Sequence, residues 1–418
     1  MTHHRQTALL LATLVITLLV LPATAIGVST GDATGPLRVF ILAGQSNMQG
    51  HAHVRTFAAM DLDPATASLV AEMRNADGTP RVCEHVWISS IGSADEERVG
   101  RLTAGFGAHA RGPKIGPEFT FGLTMQKRLT GPILIIKTAW GGKSLHTDFR
   151  PPSAGPYVFN EAQLEQLAQQ GKDIEAITAE RTQASGHSYR LMVDHVKTVL
   201  ADIPRVYPDY DPASGYELAG FVWFQGWNDM VDRGVYPQRD RPSGYDAYSE
   251  LLTQFIRDVR ADLSAPALPF VIGVMGVGGP IDQYPPDQQR YQGVHRNFRM
   301  AMAAPAALPE FEGNVGVVRT ADYWDMEVVA LRARESRIKE RADEVSRAMK
   351  EGTLSRAEGT ATLESLYAEI FSPRELVILK ESTSNLDFHY MGSAKILGQI
   401  GRAFAETLVT MMQERNGE

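Results

Sequence analysis

The sequence LRVFILAGQSNM, residues 37–48, joins a run of apolar side chains to a short turn that contains glycine and serine. An unbroken apolar run of this length is typical of a parallel strand that is buried on both faces. Ser46 follows closely beyond the predicted strand Leu37–Leu42. Because open α/β sheets bind ligands at the carboxyl ends of their strands, we expect Ser46 to lie in such a crevice.

Four further apolar runs predict the other strands of this sheet: Ile133–Lys137, Gly220–Phe224, Phe270–Val274 and Val315–Arg319. Segments with helical period separate them, most clearly between Tyr248 and Leu263. A last helix is predicted to begin at Ser393, a residue type that favours the N-cap. This alternation predicts an α/β fold with three layers, α/β/α, and a central parallel sheet.

The ends and insertions of the chain give its organisation. Residues 1–25 combine a basic start, an apolar run and a small-residue end, which predicts a signal peptide, cleavage and export to the periplasm or the extracellular space. A retained membrane anchor is the alternative. Residues 26–418 are expected to form one domain, and the Arg- and Glu-rich segment of about 327–372 predicts a solvated helical insertion.

The composition argues against a nucleic acid partner and against a disulfide bond within the chain. The net charge of −8 provides no basic stripe, and basic and aromatic residues do not interleave as single-strand binding requires, so we expect no nucleic acid partner. Cys83 is the single cysteine, which excludes a disulfide within the chain. We expect its thiol to fill apolar space in a half-buried strand.

Two more strand ends carry polar groups suited to chemistry. Gly141 and Gly142 follow the second predicted strand, and paired glycines let the main chain approach a bound acyl group. Gln225 and Asn228 follow the third strand, and their side-chain amides can donate hydrogen bonds to developing negative charge. We therefore expect these four residues to bind the substrate or its oxyanion.

A general base is needed because a serine hydroxyl is a weak nucleophile at neutral pH. Before the last predicted helix, Asp387 and His389 supply a carboxylate beside an imidazole. With Ser46 as nucleophile, the chain contains the set of groups that acyl transfer requires. His51 and His53 have no further ligands at metal spacing, so we predict no metal site.

Four segments resemble the successive motifs of the sialate O-acetylesterase group, which includes the family-six carbohydrate esterases and is similar to the SGNH hydrolases. They are residues 39–48, 137–142, 222–226 and 387–389, and Gly44-Gln45-Ser46-Asn47-Met48 is the most specific. The resemblance implies a flavodoxin-like fold. It also implies hydrolysis of O-acetyl esters on a carbohydrate (a poly- or oligosaccharide, or sialic acid), without metal or organic cofactor.

The resemblance also implies roles for single residues. Ser46 becomes the nucleophile and its own N–H the first oxyanion donor, and His389 becomes the general base. One glycine of Gly141-Gly142 matches the second donor, and Gln225 matches a candidate third donor. The chain departs from the family pattern at Trp227, which stands where the family has a glutamate, so the role of that glutamate is lost here or has moved to a neighbour.

The acid of the triad is open among three carboxylates. SGNH enzymes usually place the aspartate three residues before the histidine, whereas Asp387 and His389 are two apart. Asp387 is the first choice, and Asp229 and Asp322, each beyond a predicted strand, are the alternatives. A backbone carbonyl could also orient the ring, since the third group only fixes its tautomer and direction.

Two other functions remain open at this point. One is a catalytically silent carbohydrate-binding protein on the same scaffold, which the departure at Trp227 and the irregular spacing of Asp387 and His389 would suit. The other is a lipid or thioester hydrolase, which would need a long apolar channel. An ester hydrolysis assay separates the first from an esterase.

Overall fold

The computed structural model describes residues 35–109 and 111–417. The predicted signal peptide lies outside these residues, and the limits of the domain stay a prediction. Among the described residues, no helix is both long and apolar enough to cross a membrane.

In the described residues, nine strands form a large and a small sheet. The strands are β1 Leu37–Gly44, β2 Ala52–His53, β3 Val86–Gly92, β4 Arg98–Arg101, β5 Lys114–Ile115, β6 Ile133–Ala139, β7 Tyr216–Phe224, β8 Phe270–Val274 and β9 Val315–Arg319. The large sheet has the order β4-β3-β6-β1-β7-β8-β9, and β2 pairs with β5. Every neighbouring pair in the large sheet is parallel except β3 and β4. The central parallel sheet is therefore confirmed.

Fifteen helices surround the sheets in the described part of the chain. They are α1 Ser46–Gln49, α2 Phe57–Met60, α3 Pro64–Met73, α4 Pro117–Arg128, α5 Glu161–Gln169, α6 Ile174–Ala184, α7 His187–Ala201, α8 Trp227–Val231, α9 Asp246–Asp262, α10 Gln292–Ala303, α11 Met326–Glu335, α12 Lys339–Glu351, α13 Arg356–Ala368, α14 Pro373–Glu381 and α15 Ala394–Asn416. As predicted, Ser393 is the N-cap of the last helix, although its hydroxyl makes no capping hydrogen bond.

Helices cover both faces of the large sheet, as strand β7 shows. Trp223 packs against Phe255 of α9, with ring centroids 4.3 Å apart. The next residue, Phe224, packs against Phe404 of α15 at 5.5 Å. Because successive strand residues point to opposite faces, α9 and α15 lie on opposite sides of the sheet. The three-layer α/β/α fold is confirmed.

The sequence did not predict β3 and β4. Strand β3 contains two buried serines, and the hydroxyl of Ser89 donates to Glu97 at 2.6 Å, so tertiary hydrogen bonding compensates for the missing apolar side chains. Strand β4 is a polar edge strand.

The half-buried strand predicted around Cys83 was placed too early in the chain, because β3 begins only at Val86. The side chain of Cys83 is fully buried rather than half-buried. Burial raises the pKa of its thiol to about 12.

The Arg- and Glu-rich segment forms helices in the described structure. Helix α12 ends at Glu351, Gly352 takes a left-handed φ of 75°, and α13 follows and packs against α12. The break that the sequence predicted near Gly352 is thus present. Helix α11, which precedes this pair, contributes the buried side chains of Val328 and Leu331 to the core.

A fully buried ion pair lies beneath the carboxyl end of β1. The ammonium group of Lys137, on β6, donates to Glu118 Oε2 at 2.7 Å and to the carbonyls of Gln49 at 2.8 Å and Phe106 at 3.0 Å. The other carboxylate oxygen of Glu118 accepts the N–H of Gly116 at 2.9 Å. Burial lowers the pKa of Lys137, and Glu118 opposes this effect. All three ammonium protons therefore have acceptors.

Removing one member of this pair should destabilise the protein strongly. We expect Glu118→Leu to lower the free energy of unfolding by about 3–5 kcal/mol, because it leaves a buried ammonium group without its counter-charge. Urea denaturation measures this change. Lys127→Met, which breaks the exposed pair of Lys127 with Glu72, is the control and should cost no more than about 1 kcal/mol. Equal losses in the two variants would contradict the prediction.

Candidate active site

Ser46 is the first residue of α1, at the carboxyl end of the central strand β1. The turn between them requires glycine, since a Cβ atom on Gly44 would lie 2.1 Å from the carbonyl oxygen of Phe224. Strand β6 lies on one side of β1 and β7 on the other. Ser46 therefore stands where the loops after three neighbouring strands meet, which is where an α/β sheet forms its crevice.

Gln45 connects this turn to the loop after β7. Its amide nitrogen donates to Asn228 Oδ1 at 3.0 Å, and its amide oxygen accepts the N–H of Gly226 at 3.0 Å. Asn228, expected to bind substrate, thus positions Gln45, the residue that precedes Ser46. The two loops are held together by side-chain amides at both ends of Gln45.

Gly141 lies beside Ser46. A Cβ atom on Gly141 would be 3.9 Å from Ser46 Cβ, whereas one on Gly142 would have no neighbour within 4 Å. The N–H of Gly141 donates to Ser93 Oγ at 2.8 Å, and this hydroxyl lies 3.3 Å from Gln49 Oε1, to which it donates. An oxygen atom already occupies the position in front of the Gly141 N–H, next to Ser46.

Gln225 is buried and is bonded to the protein through both ends of its amide. Its nitrogen donates to Asp229 Oδ2 at 2.6 Å and to the Lys143 carbonyl at 3.1 Å, and its oxygen accepts from the Tyr248 hydroxyl at 3.1 Å. Both N–H bonds of the amide are therefore directed at protein acceptors. In this arrangement Gln225 joins the loops after β6 and β7.

Asp229 is the central acceptor of the hydrogen bonds that join the loops after β6 and β7. Its carboxylate accepts the N–H groups of Leu145 at 2.8 Å and His146 at 3.0 Å, as well as the Tyr236 hydroxyl at 3.2 Å. The side chain is completely buried, and burial raises its pKa. Asp229, an alternative acid for the triad, thus holds the loop that carries the two glycines.

His389 is supplied by an irregular turn just before α15. The two residues that follow His389, Tyr390 and Met391, have left-handed φ values of 52° and 59°, which residues other than glycine rarely adopt. The buried Tyr390 hydroxyl accepts the N–H of Gly276 at 2.8 Å and lies 2.6 Å from Thr320 Oγ1. These bonds offset a strain of roughly 1–3 kcal/mol per residue and fix the turn that presents His389.

Asn385 orients the imidazole of His389. Its side-chain oxygen lies 3.0 Å from His389 Nδ1 and accepts the N–H of Leu386 at 2.8 Å. The Leu386 N–H identifies this atom as the oxygen, so His389 Nδ1 must carry the hydrogen. The other ring nitrogen, Nε2, then has a free lone pair and can accept a proton.

A second histidine stacks on the first. The rings of His51 and His389 are 3.9 Å apart and nearly parallel, with an interplanar angle of 2°. Asn385 Nδ2 lies 3.4 Å from His51 Nδ1, so one amide contacts both rings. Burial, and to a lesser degree Lys114, lowers the pKa of His389 to about 4, and burial with the neighbouring His389 lowers that of His51 to about 3. Both rings are neutral at neutral pH.

The three candidate carboxylates all have other partners. Asp387 pairs with Arg332 of α11 at 2.7 Å, and Asp322 pairs with Arg319 at 3.1 Å. Asp229 makes the bonds described above. Among the described contacts, none of the three is hydrogen-bonded to His389. The structure brings Asn385, rather than Asp387, to the imidazole.

Ser46, the two glycines and His389 share one open pocket of about 420 Å³. Its lining consists of Ser46, Gln49, His51, Ser93, Ala94, Ala108, His109, Gly141, Gly142 and His389. Within residues 35–417, the Ser46 hydroxyl is not hydrogen-bonded to His389, although such bonds often tighten only when substrate binds. Gln225 and Asn228 are not among the described lining residues. In the described part, no cluster of three or more His, Cys, Asp or Glu side chains suits a metal ion.

Sequence reasoning missed Ser93, which lines this pocket, and Asn385, which contacts the imidazole of His389. Ser93 follows strand β3, so recognising that strand would have placed it at the same sheet edge as Ser46. Asn385 precedes His389 by four residues, and a search limited to carboxylates passes over it. An amide four residues before a candidate base was the available signal.

Comparison with known proteins places the chain in a family. Residues 36–307 match the family described as carbohydrate esterase, sialic acid-specific acetylesterase. A search of curated proteins finds no match.

Similar solved structures are distant. They include a protein from Arabidopsis thaliana (16% identity, 68% of this chain and 86% of the other, TM-score 0.36). A carbohydrate acetylesterase from Xanthomonas citri is 14% identical over 69% of this chain and 51% of its own, with a TM-score of 0.37. NanS is 13% identical over 68% and 78%, with a TM-score of 0.35. The family match covers well over half of the chain, so this protein belongs to the carbohydrate esterase family of sialic acid-specific acetylesterases and is an esterase.

Proposed function

We propose that the protein removes O-acetyl groups from a carbohydrate through an acyl-enzyme, with Ser46 as nucleophile, His389 as general base and Asn385 as the residue that orients the base. Two observations support this proposal: Ser46, Gly141 and His389 line one pocket, and a hydrogen bond to Asn385 fixes the proton of His389 on Nδ1. The family match supports a carbohydrate ester as substrate.

The first half of the reaction forms the acetyl-enzyme. His389 Nε2 takes the proton of the Ser46 hydroxyl while the serine oxygen bonds to the acetyl carbonyl carbon. The tetrahedral intermediate collapses, its bond to the sugar oxygen breaks, and that oxygen receives the proton from His389. In the second half, His389 activates water in the same way, and acetate leaves.

The oxyanion is stabilised by backbone donors in this proposal. Gly141 is assigned as a donor because it lies beside Ser46 and its N–H already points at an oxygen, Ser93 Oγ. The carbonyl oxygen of the ester replaces this hydroxyl as the acceptor. The N–H of Ser46 is assigned as the second donor, in keeping with the family pattern. Gln225 is not used, because its amide hydrogens are bonded to Asp229 and Lys143.

The orienting role is assigned to Asn385 in place of Asp387 for a geometric reason. The Nδ1 atom of His389 faces the amide oxygen of Asn385, whereas the Asp387 carboxylate faces Arg332. A neutral amide fixes the tautomer of the ring, but it stabilises the imidazolium less than a carboxylate would. We also propose export of the protein, on the basis of the signal-like residues 1–25.

Ser46→Ala should abolish esterase activity. We expect the turnover of 4-nitrophenyl acetate and of an acetylated oligosaccharide to fall by roughly 10³-fold or more, because no acyl-enzyme can form. Ser68→Ala, an exposed serine on α3, is the control and should behave as the wild type. Circular dichroism checks that both variants are folded. Wild-type activity in Ser46→Ala would contradict the proposal, and an inactive wild type would favour a silent binding protein.

Variants of Asn385 should change the pH profile as well as the rate. In the wild type, kcat/KM should fall only as pH drops through about 4, where His389 becomes protonated. Asn385→Asp places a carboxylate beside the ring and raises the pKa of His389, so the acid limb should move to higher pH. Asn385→Leu removes the acceptor and should lower kcat by roughly 10- to 100-fold.

Rates measured between pH 4 and 8 with 4-nitrophenyl acetate decide this assignment. Asp387→Asn is the informative comparison. If it reduces kcat more than Asn385→Leu does, the orienting role belongs to Asp387. An unchanged acid limb in Asn385→Asp would equally contradict a contact between residue 385 and the base.

A further inference from the structure

A second and larger cavity adjoins the proposed catalytic pocket. It has a volume of about 880 Å³, and its walls come from α8, the segment that follows β8, and α11. Asp387 and Met391, on either side of His389, belong to its lining. A volume of this size accommodates a ligand of several hundred daltons, such as a short oligosaccharide. Because Asp387 and Met391 flank His389, the rest of a substrate whose ester is held at Ser46 would extend toward this cavity.

The cavity is cationic although the chain as a whole carries a net charge of −8. Four arginines line it, against two aspartates: Arg233, Arg239, Arg290 and Arg332, with Asp287 and Asp387. Arg332 is neutralised by Asp387. Among the ion pairs of the described residues, Arg233, Arg239 and Arg290 have no carboxylate partner. Arg239 donates to the Met230 carbonyl at 3.0 Å, and Arg290 lies 4.8 Å from the ring centroid of Tyr291. Arg233 and Arg290 are exposed, so their two guanidinium groups are available to an anionic ligand.

Aromatic rings in the same cavity suit a sugar. Trp227, Tyr291 and Trp324 are part of its lining, and Tyr291 is 40% exposed. Trp227 packs against Phe388 at 5.7 Å, and Phe388 packs against His389 at 4.4 Å. Aromatic faces bury the apolar faces of sugar rings while the hydroxyls stay solvated. A series of rings thus leads from the cavity to the base.

We infer that this cavity is a binding site for a carboxylate-bearing oligosaccharide, whose acetylated residue lies at Ser46 and whose flanking residues occupy the cavity. Arginine suits this ligand because its planar fork matches a carboxylate with two hydrogen bonds. Helix α11 lies beyond the residues that match the family, which end at 307, so this wall belongs to the part of the chain outside that match. The inference deepens the proposed function and rests on it.

Binding measured without turnover tests the site. We expect calorimetry on the full chain to show that trigalacturonate or 3′-sialyllactose binds at least tenfold more tightly than maltotriose, a neutral trisaccharide. The preference should weaken as salt is raised, because exposed charges are screened. Arg233→Gln combined with Arg290→Gln should reduce the affinity for the acidic sugar about tenfold and leave maltotriose affinity within twofold of the wild type.

Arg347→Gln is the matched control, because Arg347 is an exposed arginine on α12 outside the cavity. It should bind the acidic probes as the wild type does, and thermal unfolding checks that all variants are folded. The inference is overturned if neither acidic sugar binds more tightly than maltotriose, or if the double variant binds them unchanged. Hydrolysis of 4-nitrophenyl acetate, a probe without saccharide, tests the proposed function separately, so the two failures are distinguishable.

Discussion

The buried ammonium group of Lys137 constrains the active-site end of the sheet. In the register of the sheet, Lys137 lies beside Leu42 of β1, just behind the turn that leads to Ser46. Its three hydrogen bonds reach the last residue of α1, the loop at Phe106, and Glu118 at the start of α4. Separating these segments would leave a charge unsatisfied in the core, which is costly. The short helix α1, which begins at Ser46, is therefore held in place by Lys137.

Asp229 plays the corresponding part on the other side of β1. Its carboxylate gathers backbone donors from the loop after β6 and side-chain donors from the loop after β7. With Gln225, it fixes the loop that carries Gly141. Asp229, which could serve as a catalytic acid or base, here has a structural role, because a buried carboxylate with several donors orders the chain around it. The backbone N–H of Gly141 gains its position from this cross-link.

The helical insertion contacts the segment around His389 through an ion pair. Arg332 of α11 pairs with Asp387, 55 residues later in the chain, and Asn385 occupies the position next to the ring. The ion pair of Asp387 explains why Asn385 contacts the ring, because a carboxylate paired with a guanidinium group is not free to orient an imidazole. The same helix forms a wall of the cationic cavity. The insertion therefore contributes to the surroundings of both the proposed base, His389, and the proposed substrate site.

The sequence alone determined the parallel sheet, the position of Ser46 beyond β1 and the helix after His389, because unbroken apolar runs, glycine turns and helical periods act over a few residues. Strand β3 was not predicted, because the burial of its polar residue Ser89 depends on hydrogen bonds to Glu97 and His195 that the local sequence does not reveal. Only the tertiary structure decided the partners of Gln225, Asp229, Asp387 and Asn385. Each of these polar side chains has several possible hydrogen bonds, and which one forms depends on atoms brought near by distant parts of the chain.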